Sequence, residues 1–340
     1  MRIALDAMGG DAAPEIPLAG ALAAIEEWPD VEVLLTGDER ELEPLLRQRR
    51  YPAGRLTVHH APEQVGMEEA PTAALRKKRD SSISVGLRLL KEGHADAFFS
   101  AGNTGAVMAQ AMLTLGRIPG ISRPAIATIF PTMRELCILM DVGANVDCKP
   151  AHLVQFAIMG DVYARDVFRV ERPRVGLLNN GEEPSKGNEQ ARETYAALAQ
   201  TSLNFIGNVE GKDILSGAAD VVVTDGFIGN ILLKFSESVL HFINFGMKRE
   251  LAQSPLARAG ALLLRPALRR MRRRLDYAEY GGAPLLGVDG IAIIGHGRSS
   301  VKAVKNAIRA AKISVEQDVS GDIRRAFAKL EPARHEVSAG

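Results

Sequence analysis

Short apolar runs recur along the chain at 3–5, 31–35, 97–99, 125–130, 136–140, 175–178, 204–206, 221–223 and 291–294, separated by longer stretches of Ala, Leu, Glu and Arg at helical spacing. Runs of this length suit strands, and the intervening stretches suit helices, so the pattern is that of successive βα units. Most of the runs carry no polar residue, which implies a sheet covered by helices on both faces. The expectation is an α/β protein: three layers, α/β/α, around a mainly parallel sheet.

The segments just after the runs are more informative than the runs themselves. The run at 3–5 leads into Asp6, Ala7, Met8, Gly9, Gly10 and Asp11, and the run at 97–99 into Ser100, Ala101, Gly102, Asn103, Thr104 and Gly105. The run at 136–140 leads into Asp141, Val142, Gly143, Ala144 and Asn145, and the one at 175–178 into Asn179, Asn180, Gly181 and then Ser185, Lys186 and Gly187. The run at 221–223 leads into Thr224, Asp225, Gly226 and, further on, Gly229 and Asn230, and the last into Gly295, His296 and Gly297. In a parallel sheet such loops leave one edge, outside the carboxyl ends of the strands, where α/β proteins place ligands. Six loops of Gly, Asn and Asp are therefore expected to converge on one crevice. Backbone amides freed by glycine, beside helix N-termini, make that crevice suitable for a small oxyanion such as phosphate.

The stretch 236–277 breaks the βα rhythm. Val239, Ile243, Met247 and Leu251 recur every four residues, Ser254 and Pro255 interrupt, and Leu264, Leu268, Met271 and Leu275 form a second stripe, as in a helical hairpin. Residues 255–275 hold seven arginines and no acid, while the whole chain carries 42 Lys and Arg against 41 Asp and Glu. The net charge of +1 gives no field for nucleic acid, yet the local charge is large. Arg265, Arg269 and Arg272 form a basic column beside the stripe, with Arg273 adjacent, and two readings stand: a solvated helix face, or a docking surface for an acidic partner or an anionic membrane. Arg76, Lys77, Lys78 and Arg79 form a second basic cluster open to the same two readings.

Several chemistries lack their residues. Lys186 precedes Gly187, the reverse of the order in a Walker A loop; no Gly-x-Gly-x-x-Gly follows the first run, and no Gly-x-Ser-x-Gly elbow exists. Cys137 lies inside an apolar run, and with Cys148 it forms neither a zinc site nor a disulfide framework, which suits a reducing cytosol. No metal-ligand spacing of the His-Glu-x-x-His kind is present, so no metal or cofactor is expected. What is left is direct transfer between two substrates held by backbone and polar groups. The acid at Asp6 interrupts the N-terminal apolar stretch, against a signal peptide, and no apolar run approaches the roughly 20 residues of a membrane span. A hydrophobic content of 46% with 24% charged residues excludes disorder, and the 340 residues read as a single α/β domain over 1–335, open to division into two lobes, with the hairpin 236–277 inserted in it.

Seven segments taken in order carry a resemblance: Asp6 to Asp11 (DAMGGD), Ser100 to Gly105 (SAGNTG), Asp141 to Asp147 (DVGANVD), Ser185 to Glu189 (SKGNE), Phe205 to Glu210 (FIGNVE), Thr224 to Asn230 (TDGFIGN) and Tyr280 to Gly282 (YGG). Together they resemble the bacterial phosphate acyltransferase family known as PlsX. The resemblance implies an enzyme that moves a fatty acyl group from acyl carrier protein to inorganic phosphate, giving acyl phosphate for phospholipid synthesis. It also implies a homodimer, cytoplasmic and peripherally associated with the inner face of the membrane, with a fold similar to isopropylmalate dehydrogenase and phosphate acetyltransferase. Lys186 and Asn230 are carried over as the leading polar contacts, and His296 is a candidate proton donor to the leaving sulfur. Asp6, Gly9, Gly10, Gly102, Asn103, Thr104, Gly105, Asp141, Asn145, Asp225 and Gly226 are the candidate phosphate and substrate contacts, and Arg265, Arg269, Arg272 and Arg273 the contacts to carrier protein or membrane. Two other readings are a nicotinamide-dependent dehydrogenase of the same fold, whose Asp cluster for a divalent metal is missing at a recognisable spacing, and a non-catalytic membrane scaffold.

Overall fold

A computed structural model describes residues 1–329, without the side chains of Ala252, Pro255, Arg258, Arg272, Arg273, Arg274 and Tyr277. The strands are β1 (Arg2–Asp6), β2 (Glu32–Gly37), β3 (Leu56–His60), β4 (Ala97–Ser100), β5 (Ala125–Pro131), β6 (Leu136–Met140), β7 (Arg174–Leu178), β8 (Asn204–Val209), β9 (Val221–Val223), β10 (Ala283–Leu286) and β11 (Ala292–Ile294). The helices are α1 (Glu15–Glu27), α2 (Glu39–Arg47), α3 (Pro71–Lys77), α4 (Ser82–Lys91), α5 (Thr104–Thr114), α6 (Pro150–Phe168), α7 (Glu189–Ala199), α8 (Gly211–Ser216), α9 (Gly226–Gln253), α10 (Pro255–Leu275), α11 (Val301–Glu316) and α12 (Val319–Ala328). All nine apolar runs form strands.

The strands make one sheet in the order β3-β2-β1-β4-β11-β10-β5-β6-β9-β7-β8. Strands β3, β2, β1, β4 and β11 are mutually parallel, and so are β6, β9, β7 and β8. Between the two sets, β10 is antiparallel to both β11 and β5, and β5 is antiparallel to β6. Those three reversals make the second set run opposite to the first. The expected convergence of six loops on one edge is thereby corrected: the loops after β1, β4 and β11 leave one edge of the sheet, and those after β6, β9 and β7 leave the other. Each trio comes from strands that are direct neighbours.

Helices cover both faces, as the apolar strands require. On one face α4, α5 and α8 pack over both halves of the sheet through Ile83, Leu87, Val107, Ala111 and Ile214, joined by Leu232 and Leu233 from α9. On the other, α1 and α11 cover the β1 half through Leu18, Ile25, Val304 and Ile308, while α6 and α12 cover the second half through Phe156, Tyr163, Ile323 and Phe327.

Helix α9 departs from this scheme. It begins at Gly226, ten residues before the periodic stripe suggested, and its 28 residues are about 42 Å long at 1.5 Å per residue. After the single residue Ser254, α10 packs along it. No described side chain from Asn230 to Leu275 is buried. Phe242, Leu256 and Leu263, which lie outside the two periodic stripes, are 75%, 83% and 85% exposed, whereas Leu251 and Leu268 within the stripes are half-buried. None of the described helices is long and apolar enough to cross a membrane.

Candidate active site

Each loop trio is organised by one buried carboxylate at the end of a central strand. In the first, Asp6 is 1% exposed and accepts hydrogen bonds from the Met8 backbone at 3.0 Å and from Ser100 Oγ at 2.6 Å. Ser100 Oγ in turn accepts from the Gly102 amide at 3.0 Å, which ties the β1 loop to the β4 loop. The approach leaves no room for a side chain at Gly9, where a Cβ would stand 2.5 Å from Asp6 Oδ2 and 2.7 Å from the Gly102 nitrogen. The β11 loop joins through Asp11 N–H to Gly297 O at 2.8 Å and Gly295 N–H to Ser100 O at 2.7 Å. Gly10, between these contacts, has a φ of 106°.

Asn103 caps α5, its Oδ1 accepting from the Ala106 amide at 3.0 Å. Its Nδ2 donates to the carbonyls of Met67 and Glu69, both at 2.9 Å, so its amide is fully engaged with backbone. Thr104 is exposed beside it, and Gly105 lies against Pro71 at the start of α3. His296 is exposed, and its Nδ1 accepts from the Arg298 amide at 3.1 Å.

In the second trio Asp141 is fully buried and gathers more donors. Its Oδ1 accepts from the amides of Ile126 at 2.9 Å, Gly143 at 3.3 Å and Ala144 at 3.1 Å, and its Oδ2 from Asn145 N at 2.7 Å and Asn145 Nδ2 at 3.0 Å. Burial pushes both Asp6 and Asp141 upward from the ordinary carboxylate value, and these hydrogen bonds oppose the rise. Gly226 N–H donates to Asn145 O at 2.8 Å, and Asp225 caps α9 by accepting from Ile228 N at 2.8 Å. A Cβ at Gly229 would lie 1.9 Å from Asp141 O, so only glycine lets the first turn of α9 close on the Asp141 turn.

That close packing presents Asn230, whose Cγ would be 3.6 Å from a Cβ built at Gly143. Asn230 is half-buried, and its side chain makes no hydrogen bond among the described residues. The β7 loop joins through Gln190, at the start of α7, which donates to Cys148 O at 2.6 Å. Within that loop Asn179 Nδ2 donates to Lys186 O at 3.2 Å, and Asn208 Nδ2 donates to Glu183 O at 2.8 Å. Lys186 is exposed and has no carboxylate partner among the described residues, in contrast to Lys212 nearby in sequence on α8, which pairs with Glu182 and Glu210. Asn179, seven residues before Lys186, is visible as a clamp only once the loop is folded.

The structure thus brings Lys186, Asn230, Asp141, Asn145, Asp225 and Gly226 to one set of neighbouring strands, and Asp6, Gly9, Gly10, Gly102, Asn103, Thr104, Gly105 and His296 to the other. Arg265 and Arg269 are exposed on α10, without ion-pair partners among the described residues; the side chains of Arg272 and Arg273 lie outside the described set.

The model of the family described as fatty acid synthesis protein matches residues 1–321. The chain is 53% identical over 334 residues to the phosphate acyltransferase of Heliobacterium modesticaldum, covering 98% of this chain and 99% of that one. It is 51% identical over 320 residues to the phosphate acyltransferase of Geobacter sulfurreducens, covering 94% and 92%. The chain belongs to the phosphate acyltransferase family. Its enzyme class is therefore that of an acyltransferase in fatty acid and phospholipid synthesis. Among solved structures, the EutD phosphotransacetylase from Staphylococcus aureus has the same fold, with a TM-score of 0.60 at 18% identity over 92% of this chain and 94% of that one. The acyltransferase accordingly has the expected three-layer α/β/α architecture of the phosphate acetyltransferase type.

Proposed function

We propose that this acyltransferase moves a fatty acyl group from acyl carrier protein to inorganic phosphate, with the reaction centred on the Asp141 trio. The observation that carries the assignment is the pair Lys186 and Asn230: a cation and an amide whose side chains have no hydrogen-bond or ion-pair partners among the described residues, Asn230 in the first turns of α9 packed on the Asp141 turn and Lys186 on the loop that Asn179 clamps. In the reaction a phosphate oxygen attacks the thioester carbonyl, the carbonyl electrons move to oxygen, and collapse expels the carrier thiolate with formation of the acyl phosphate. The Asn230 amide can donate to the developing oxyanion, and the Lys186 ammonium can neutralise phosphate charge. The purified chain should convert long-chain acyl carrier protein and phosphate to acyl phosphate without added metal or nucleotide, measured by release of the carrier thiol. Complete loss on chelation, restored by a divalent ion, would overturn the metal-independent route.

The same reading makes the enzyme a homodimer that associates peripherally with the inner face of the membrane through α9 and α10. It is supported by the exposed apolar side chains Phe242, Leu256 and Leu263 and by the exposed Arg265 and Arg269 on α10, a combination suited to an anionic lipid surface. Replacing Arg265, Arg269, Arg272 and Arg273 together by Gln should reduce co-sedimentation with vesicles containing phosphatidylglycerol, while turnover of soluble donor at saturation holds. Unchanged vesicle binding would remove these arginines from the membrane contact.

A further inference from the structure

The basic cluster at 76–79 is left without a role by the reaction and by the helical pair. It lies on the wall of a surface groove of about 510 Å³ lined by Thr72, Leu75, Arg76, Arg79, Gln110 and Leu113. The charges of the cluster divide. Lys78 is held at home, donating to Gln64 O at 2.7 Å and to Glu69 at 2.5 Å. Arg76, Lys77 and Arg79 are exposed and have no acidic partner among the described residues, and the nearby Asp80 pairs instead with Arg88 at 3.0 Å. The opposite wall, α5, contains no charged residue, and its Leu113 is 71% exposed. The groove therefore offers a basic edge and an apolar edge, with no acid lining it.

We infer that the groove between α3 and α5 is the docking site for the acidic carrier protein that delivers the acyl group, received as an acidic helix whose carboxylates face Arg76 and Arg79 and whose apolar side packs on Leu75 and Leu113. This rests on the proposed donor. Charge complementarity selects the occupant: a neutral apolar helix would bury the two arginines without partners, whereas carboxylates on the incoming helix pair with them.

The test uses the full chain with two donors of the same acyl length, palmitoyl acyl carrier protein and palmitoyl-N-acetylcysteamine, and direct binding of fluorescently labelled carrier protein by anisotropy. The double variant Arg76→Glu and Arg79→Glu should raise Kd and KM for the carrier by about tenfold or more, because like charges are brought together, and should leave kcat within about twofold. Activity with the small thioester should be unchanged, and Leu113→Asp should weaken carrier binding in the same direction. The wild-type carrier Kd should rise with salt. Unchanged carrier Kd and KM in the double variant would overturn the groove alone. Equal loss with both donors, or a changed oligomeric mass, would also overturn it, making the groove part of the fold or a contact between copies. If the wild type turned over the small thioester yet neither bound nor used the carrier, the donor reading would fall and the groove with it.

Discussion

The two loop trios solve the same problem with different atoms. Both place a carboxylate at the end of an apolar strand and let it hold neighbouring loops, and both use Asn or Asp to cap the next helix. In the Asp6 trio the link between loops passes through the Ser100 hydroxyl, and the polar amide of Asn103 is fully engaged. In the Asp141 trio five N–H donors converge on the carboxylate, and polar groups are left over: Asn230 and Lys186. The difference lies in which groups are left over: in the Asp141 trio a lysine and a side-chain amide beside the carboxylate frame, and in the Asp6 trio the exposed Arg298 and the Thr104 hydroxyl, with no free side-chain amide among the described residues.

The largest effect expected from that contrast is on turnover. Lys186→Ala and Asn230→Ala should each lower kcat by roughly tenfold to a thousandfold, the scale of one lost electrostatic contact to a reacting centre, with folding intact because both side chains lie outside the core. His296→Ala, in the other trio and with its Nδ1 already accepting from Arg298, should change kcat by less than about threefold, far below the effect of removing a general acid. Steady-state rates at saturating phosphate decide between the trios. A loss at His296 equal to that at Lys186 would mean that both trios serve one reaction.

Next comes stability. In Asp141→Asn the amide nitrogen cannot accept, so in either orientation two or three of the five N–H groups lose their acceptor, at a cost of about 3 kcal/mol or more. In Asp6→Asn the amide oxygen still accepts from Met8, and the new N–H₂ can donate to Ser100 Oγ once that hydroxyl turns its hydrogen away, so about 1 kcal/mol is expected. Denaturant unfolding of the two variants measures this directly. Equal losses would show that the hydroxyl link is as unforgiving as the amide cage.

Much of this contrast was hidden in the sequence for identifiable reasons. The strands were legible because fully apolar runs of three to six residues fit little else, and the loops because Gly and Asn gather after them. The two strands that were missed lack that signature: β3 reads Leu-Thr-Val-His-His, and β10 contains Pro284. Strand direction is not written in a strand's own residues, so the reversal of the second set went unread. One signal did exist. Only Thr132 to Glu135 separate β5 from β6, a link far shorter than the dozen or more residues a parallel crossover needs. Lys186 and Asn230 stood out as residue types, but the clamps that hold them, Asn179 and Gln190, are ordinary helix-start and loop residues until folding brings their partners near.

The smallest effect concerns pH, and it is expected of both carboxyls. Burial pushes both carboxyls above the ordinary 3.8, against the opposing hydrogen bonds. A carboxyl whose folded pKa exceeds its unfolded one binds its proton more tightly in the folded protein. Its contribution to stability is complete below the unfolded value and is lost as pH climbs through the folded value. At Asp6 the opposing hydrogen bonds come from Ser100, Ser82, Met8 and Gly9, and at Asp141 from Ile126, Ala144 and Asn145, so both carboxyls should carry this pH dependence. The stability difference between the wild type and each of Asp6→Asn and Asp141→Asn should therefore narrow as pH rises from about 4 to about 8. Urea unfolding across that series supplies both curves. If either difference instead stayed flat or widened with pH, the hydrogen bonds around that carboxyl would be enough to offset its full burial.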